Sequence, residues 1–216
     1  MDFSFLSKYY LFFLQGVKYT IILALFTVIF GFILGLVLSI MRLSSSKILR
    51  AFATCYVEFI RGTPLLVQLY IVYFGLPNLG INLPDMLAGI VALSINSSAY
   101  ISEIIRAGIQ AVDKGQMEAA RSLGMPSNVA MKLIIIPQAI KNILPALGNE
   151  FIVVIKESST ASIIGIHELM YNADTVRGNI FKPFEPLIVA AVMYFILTFS
   201  LSKLIGKFER RLKTVD

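Results

Sequence analysis

Glu118-Ala119-Ala120-Arg121-Ser122-Leu123-Gly124, followed after a gap by Leu133-Ile134-Ile135-Ile136-Pro137, is the stretch on which the fold reading turns. Its first half predicts a short helix, too polar to span a membrane yet set among apolar segments. Ala119 and Ala120 keep the helix surface low, so another surface can approach closely, and Glu118 offers one directional charge contact. Gly124 predicts the stop, because glycine takes the left-handed C-terminal conformation at little cost. Pro126 cannot continue the helix.

The surrounding chain settles the class. Its 216 residues are 57% hydrophobic and 15% charged, with mean hydropathy +0.79, far from the soluble average. A net charge of +6 raises the question of nucleic acid. The basic residues, however, stand between apolar segments rather than in a patch with aromatics, and positive cytoplasmic flanks explain them. Cys55 is the single cysteine, which excludes an internal disulfide and a multi-thiolate metal site. The first apolar stretch is too long for a cleavable signal and lacks small residues before a cleavage point.

The pattern predicts an all-α membrane protein with about five transmembrane helices in one domain, residues 1–216. Residues 1–15, rich in Phe and Tyr, suit an interfacial segment. A first span over about Gly16–Met41 contains Gly31-Phe32-Ile33-Leu34-Gly35, a small-xxx-small pattern that permits close helix packing. A second, over about Ala53–Phe74, should kink at Gly62-Thr63-Pro64, with Glu58 and Arg61 neutralising each other at i, i+3. Residues 75–84 form a turn-rich outer loop without Lys or Arg.

The third span, about Met86–Gly108, carries polar residues at depth. Asn96, Tyr100 and Glu103 fall on one face, and ionisable groups in a span usually face the bundle interior or a water-filled path. Glu103 pairing with Arg106 and Asn96 bonding to a neighbouring helix are the plainer alternatives. The fourth span begins around Pro137, with interruptions expected at Pro145 and Gly148. It places Asn149 and Glu150 near mid-membrane, where transporters build substrate sites from broken helices. No Lys or Arg lies one helical turn from Glu150, which makes it the strongest single candidate. Glu157 and Ser158 close this span in a polar cluster.

Residues 157–182 are too interrupted to span and read as an outer segment. His167, the only histidine, has no second ligand at metal spacing. A last span, about Phe184–Ile205, ends in Lys207, Arg210, Arg211 and Lys213. With Arg42, Lys47 and Arg50, and with Lys114, Arg121 and Lys132 in a 111–137 loop, these cations predict an outside N-terminus and a cytoplasmic C-terminus.

Glu118-Ala119-Ala120, three residues, Gly124 and then Ile134-Ile135-Ile136-Pro137 resemble the coupling loop of ATP-binding-cassette (ABC) importer permeases. Glu58 to Gln68, Glu103 to Ile109 and Gly148-Asn149-Glu150 resemble the branch that moves polar amino acids, in its order and spacing. After Lys156 the chain departs from that pattern, with Glu157-Ser158-Ser159-Thr160. The resemblance implies a type I ABC-importer permease fold in the bacterial cytoplasmic membrane, multi-pass in the lipid bilayer. It implies two ATPase subunits and a second permease copy, identical or paralogous. An extracytoplasmic amino-acid-binding protein would deliver substrate over the loop near Asn172–Gly178. ATPase-coupling roles fall to Glu118, Ala119, Ala120, Arg121, Gly124 and Pro137.

The expected substrate-binding set is Asn96, Ser97, Tyr100, Glu103, Asn149, Glu150, Glu157 and Ser158, with no catalytic or metal residue. Its excess of carboxylates favours a basic amino acid (arginine, histidine or lysine); glutamine or glutamate remains the alternative, and an autonomous channel or carrier a distant one. The chain has no HExxH, no Gly-x-Ser-x-Gly and no phosphate loop. It is therefore expected to be no enzyme and to hold no cofactor, with ATP and Mg on the partner ATPase.

Overall fold

The computed structural model describes residues 1–213; residues 214–216 of the expected domain lie outside them. In chain order the helices are α1 (Leu6–Leu43), α2 (Lys47–Gly62), α3 (Leu65–Asn78), α4 (Asp85–Gln110), α5 (Lys114–Ser122) and α6 (Ser127–Ala130). After α6 come a π-helical turn (Met131–Ile135), α7 (Ile136–Glu157) and a 3₁₀ segment (Ser158–Ile164). Helices α8 (Leu169–Ile180) and α9 (Glu185–Lys213) complete the chain. No strand occurs among the described residues. Four runs (Leu6–Leu43, Asp85–Gln110, Ser127–Ile164 and Glu185–Arg211) are long and apolar enough to cross a membrane. The α2–α3 pair passes the same test together but is bent by 107°.

Packing distances give the direction of each run. A Cβ built on Gly31 would lie 3.2 Å from Ser97 Cβ, and one on Gly35 would lie 2.8 Å from Ile101 Cγ2. Both pairs stand 66 positions apart in sequence, so α1 and α4 run parallel, in register. Small residues at this seam let the two backbones approach closely. Between them α2 and α3 must carry the chain back to the starting end, so the bent pair counts as one crossing. α7 is antiparallel to α4, with Gly108 against Ile143 at one end and Ser97 against Glu150 at the other. α9 is antiparallel to α7, with Gly148 against Ile205 and Val154 and Ile155 packed with Tyr194 and Leu201. Five crossings therefore put the first residues of α1 and the last described residues of α9 at opposite ends.

Three expectations change. First, residues 1–15 do not make a separate surface helix: α1 is unbroken for 38 residues, about 57 Å at 1.5 Å per residue. Gly16, where the boundary was expected, is instead where α1 touches α8, with a built Cβ 2.8 Å from Leu169 Cα. Second, Pro145 and Gly148 leave α7 whole. The backbone group a proline frees can be re-satisfied within a bundle, and α7 runs through both residues.

Third, the irregular turns sit at the two ends of that crossing. The π turn Met131–Ile135 widens the backbone just before Pro137, whose ring would crowd the carbonyl one α-turn back. Past Glu157 the chain tightens into 3₁₀, because Ser158, Ser159 and Ser162 hydroxyls each donate to the carbonyl three residues earlier. α8 is 12 residues long, too short to cross. It buries Leu169, Ala173 and Val176 against Phe13 and Ala190.

Candidate functional site: the elbow, its arginines and the buried carboxylates

The elbow between α2 and α3 is made by three residues. Pro64 biases the residue before it away from helix, and Thr63 is extended at φ −115°, ψ 145°. That leaves the last carbonyls of α2 without helical donors. Gln68, 6% exposed in the first turns of α3, reaches back to supply them. Its Nε2 donates to Ile60 O at 2.7 Å, to Thr63 O at 3.1 Å and to Thr63 Oγ1 at 2.8 Å. Its Oε1 accepts from Asn96 Nδ2 of α4 at 3.0 Å. A little further along, the Tyr56 hydroxyl donates to Ile95 O and meets Ser98 Oγ at 3.0 Å. The elbow is thus tied to α4 by polar bonds inside an apolar bundle. Asn96 takes its plainer alternative, a hydrogen bond between helices.

Glu103 sits at the end of α4 where α1 finishes. Arg42 Nη1 donates to its Oε1 at 2.5 Å, and Arg106 donates to its Oε2 through Nε at 2.9 Å and Nη2 at 2.6 Å. Arg61 Nη1 lies 3.8 Å from Oε1. Arg61 therefore turns towards Glu103 and not Glu58, which corrects the expected i, i+3 pair on α2. Its guanidinium also lies over the Tyr100 ring, 5.7 Å from the centroid. With both oxygens engaged by arginine, Glu103 anchors α1 to α4 and takes the ion-paired alternative.

Glu150 is 7% exposed and accepts from Ser97 Oγ at 2.8 Å. Among the described residues no Lys or Arg forms an ion pair with it. Glu157, two turns on, acts on it as a like charge. Ser158 is fully buried and spends its hydroxyl on Ile155 O. Asn149 parts company with Glu150: consecutive helical residues point about 100° apart, and Asn149 is exposed. It lines an open cleft of about 280 Å³ with Lys156, Phe195, Thr198 and Ser202. The expected substrate set thus divides into Glu150 with Ser97, Tyr100 and Glu103 with the arginines, and Asn149 on a separate face.

The polar helix forms as expected over Lys114–Ser122, N-capped by Asp113, whose Oδ1 accepts from Gly115 N at 2.6 Å. Gly124 takes φ +83°, and Arg121 donates to Met125 O. Glu118, Ala119 and Arg121 are exposed, as is Pro137 at the start of α7. Ala120 is 3% exposed. It therefore packs α5 onto the protein, leaving only Ala119 of the pair on the outer surface, contrary to expectation.

At the opposite end Glu168 is fully buried. It caps α8 by accepting from Tyr171 N at 2.7 Å, and it accepts from the Tyr194 hydroxyl at 2.5 Å. Burial raises its carboxyl above the ordinary value, against the lowering effect of those hydrogen bonds. His167 stacks on Tyr171 at 4.4 Å, and among the described residues no His, Cys, Asp or Glu group is placed to hold a metal. Sequence reasoning missed Gln68, Arg42 and Glu168 as structural centres. A glutamine four residues after an expected Pro break was the one available signal.

The chain belongs to the family of binding-protein-dependent transport system inner membrane components, whose pattern it matches over residues 27–214. It is a multi-pass inner-membrane permease subunit of an amino acid ABC importer, with the type I permease fold. It is 44% identical over 217 residues to the arginine transport system permease protein ArtQ of Bacillus subtilis (strain 168), covering 100% of this chain and 99% of that protein. A Rickettsia bellii (strain RML369-C) protein that carries the name glutamine transport system permease protein GlnP is 46% identical over 203 residues, covering 94% and 93%. A crystal structure of an amino acid ABC transporter with histidines has a TM-score of 0.95 at 53% identity, covering 98% of this chain and 99% of that one.

Proposed function

We propose that the whole chain is one permease domain that carries a basic amino acid inwards by alternating access, with its N-terminus outside and its C-terminus in the cytoplasm. Glu150 is the observation that carries the substrate class. A buried carboxylate in a span is expensive, and this one holds a serine hydroxyl and no cation of its own. A cationic substrate side chain would complete it by charge-assisted hydrogen bonding, with Ser97 and Glu157 beside it. One relative named for arginine supports the same reading, while others are named for glutamine.

The orientation rests on cations. Arg42, Lys47, Arg50, Lys114, Arg121, Lys132 and Lys207 gather at one end of the five crossings, which suits the cytoplasmic side. Two ATPase subunits, holding ATP and Mg, would grip α5 by Glu118, Ala119 and Arg121. A second permease copy would enclose the path, and an outer binding protein would dock over α8. Rigid-body rocking about the midplane is the motion expected of such folds.

A second reading, glutamine, gains from Glu103: three arginines on that carboxylate remove one acidic group from the path. Uptake into proteoliposomes of the complete complex separates the two. Glu150→Gln should depress arginine uptake about tenfold more than glutamine uptake, as a charged hydrogen bond outweighs a neutral one by about that factor. Equal loss for both would remove charge matching and leave the neutral substrate.

A further inference from the structure

Three guanidinium groups crowd one carboxylate at the inner end of α4, and two of them are spent on it. Arg42 and Arg106 hydrogen-bond Glu103 directly. Arg61 does not: at 3.8 Å it is beyond hydrogen-bond reach. Among the described residues it makes no hydrogen bond, so its fork of five N–H donors is unspent. Its side chain is 40% exposed. The guanidinium carbon lies over the ring of Tyr100, itself 36% exposed, 5.7 Å from its centroid. The cluster carries two positive charges in excess of its one negative, with Arg61 and Arg106 partly open to solvent.

We propose that Arg61, backed by Tyr100, is a carboxylate-binding subsite for the α-carboxylate of the transported amino acid. This rests on the reading that the chain carries an amino acid, and not on which one, because every such substrate has that group. Planar guanidinium and planar carboxylate match two bonds at a time. Glu103 holds the arginine cluster together, and from 3.8 Å it offsets only part of the Arg61 charge. The division of labour is then between two places: Arg61 reads the common end of the substrate, and Glu150 reads the side chain.

The test is equilibrium binding of radiolabelled ligands to the purified permease–ATPase complex without any outer binding protein, which would otherwise select the carboxylate first. The probes are arginine, its decarboxylated form agmatine, and glutamine. Wild type should bind arginine at least about tenfold more tightly than agmatine, the worth of a charged hydrogen bond. Arg61→Gln should bring arginine down to the agmatine level while leaving agmatine unchanged, and Arg61→Lys should fall between.

If glutamine proves the ligand and arginine does not bind, Arg61→Gln must weaken glutamine by the same factor; the side-chain reading then fails while the subsite stands. Arginine and agmatine weakened alike by Arg61→Gln, or neither weakened, would overturn the subsite. So would unchanged amino acid binding together with loss of co-purifying phosphatidylglycerol, which would give the arginine to a lipid phosphate instead. Absence of any amino acid binding by the wild-type complex would also overturn it.

Discussion

Glu168 shows how a single carboxylate can be kept in an apolar place. The groups facing it are the Tyr194 hydroxyl from α9, Thr20 from α1, and the backbone N–H groups of Met170 and Tyr171 from its own helix. None is a cation, so burial dominates and the carboxyl is raised. An acid raised by folding stabilises the native state fully below its unfolded value, about 4.3, and loses that stabilisation as pH rises through the folded value. The melting temperature of wild type relative to Glu168→Gln should therefore climb as pH falls from 7 towards 5. Thermal unfolding of the detergent-purified complex reads this directly; parallel curves for the two proteins would mean that Glu168 titrates as it does in water. Gly124 gives a second expectation. Open space surrounds it, with no atom within 4 Å of a built Cβ, but its φ is +83°. Strain alone, about 1–2 kcal/mol, must then be the effect of Gly124→Ala. ATPase activity should rise relative to transport in Gly124→Ala nearly as much as in a bulkier variant. A large effect confined to the bulky residue would point to crowding by the ATPase.

Among elements, the α1–α4 seam and the elbow set the architecture. Gly35→Leu would drive side-chain atoms into Ser98 O and Ile101, both 2.8 Å from a built Cβ. Because one of these is backbone, overpacking should cost about 1–3 kcal/mol, seen as lower yield and a lower melting temperature than the equivalent change at Gly75, where a built Cβ meets no atom within 4 Å. Both devices were partly legible. The small-residue pattern at 31–35 and the break at Gly62-Thr63-Pro64 could be read from local chemistry, since each acts on its own neighbours. Pro145 misled because a proline's effect depends on what surrounds the freed carbonyl, which sequence does not reveal. The arginines of Glu103 were hidden for a related reason. Arg42 stands 61 residues from its partner and served only as a cytoplasmic label, while its side chain was already committed inside the bundle. Asn149 and Glu150 looked like one site because they are adjacent, whereas helical geometry sends them to different faces.

For the molecule as a whole, the parallel run of α1, α4 and α9 sets the number of crossings, and the proposed orientation rests on the cations at one end. The orientation is checked on intact cells after replacing exposed Cys55 with serine. A membrane-impermeant maleimide should label Asn78→Cys from outside and leave Leu123→Cys untouched until the membrane is permeabilised; the reverse pattern would invert the topology. The parallel register has one more consequence, during synthesis. Gly31 leaves the ribosome 66 residues before the Ser97 it packs against. At about 5–20 residues per second that is a wait of roughly 3–13 s. Through that interval the first helix stands in the bilayer with its small-residue groove facing lipid tails, and anything in the membrane that recognises unassembled helices has those seconds in which to find it.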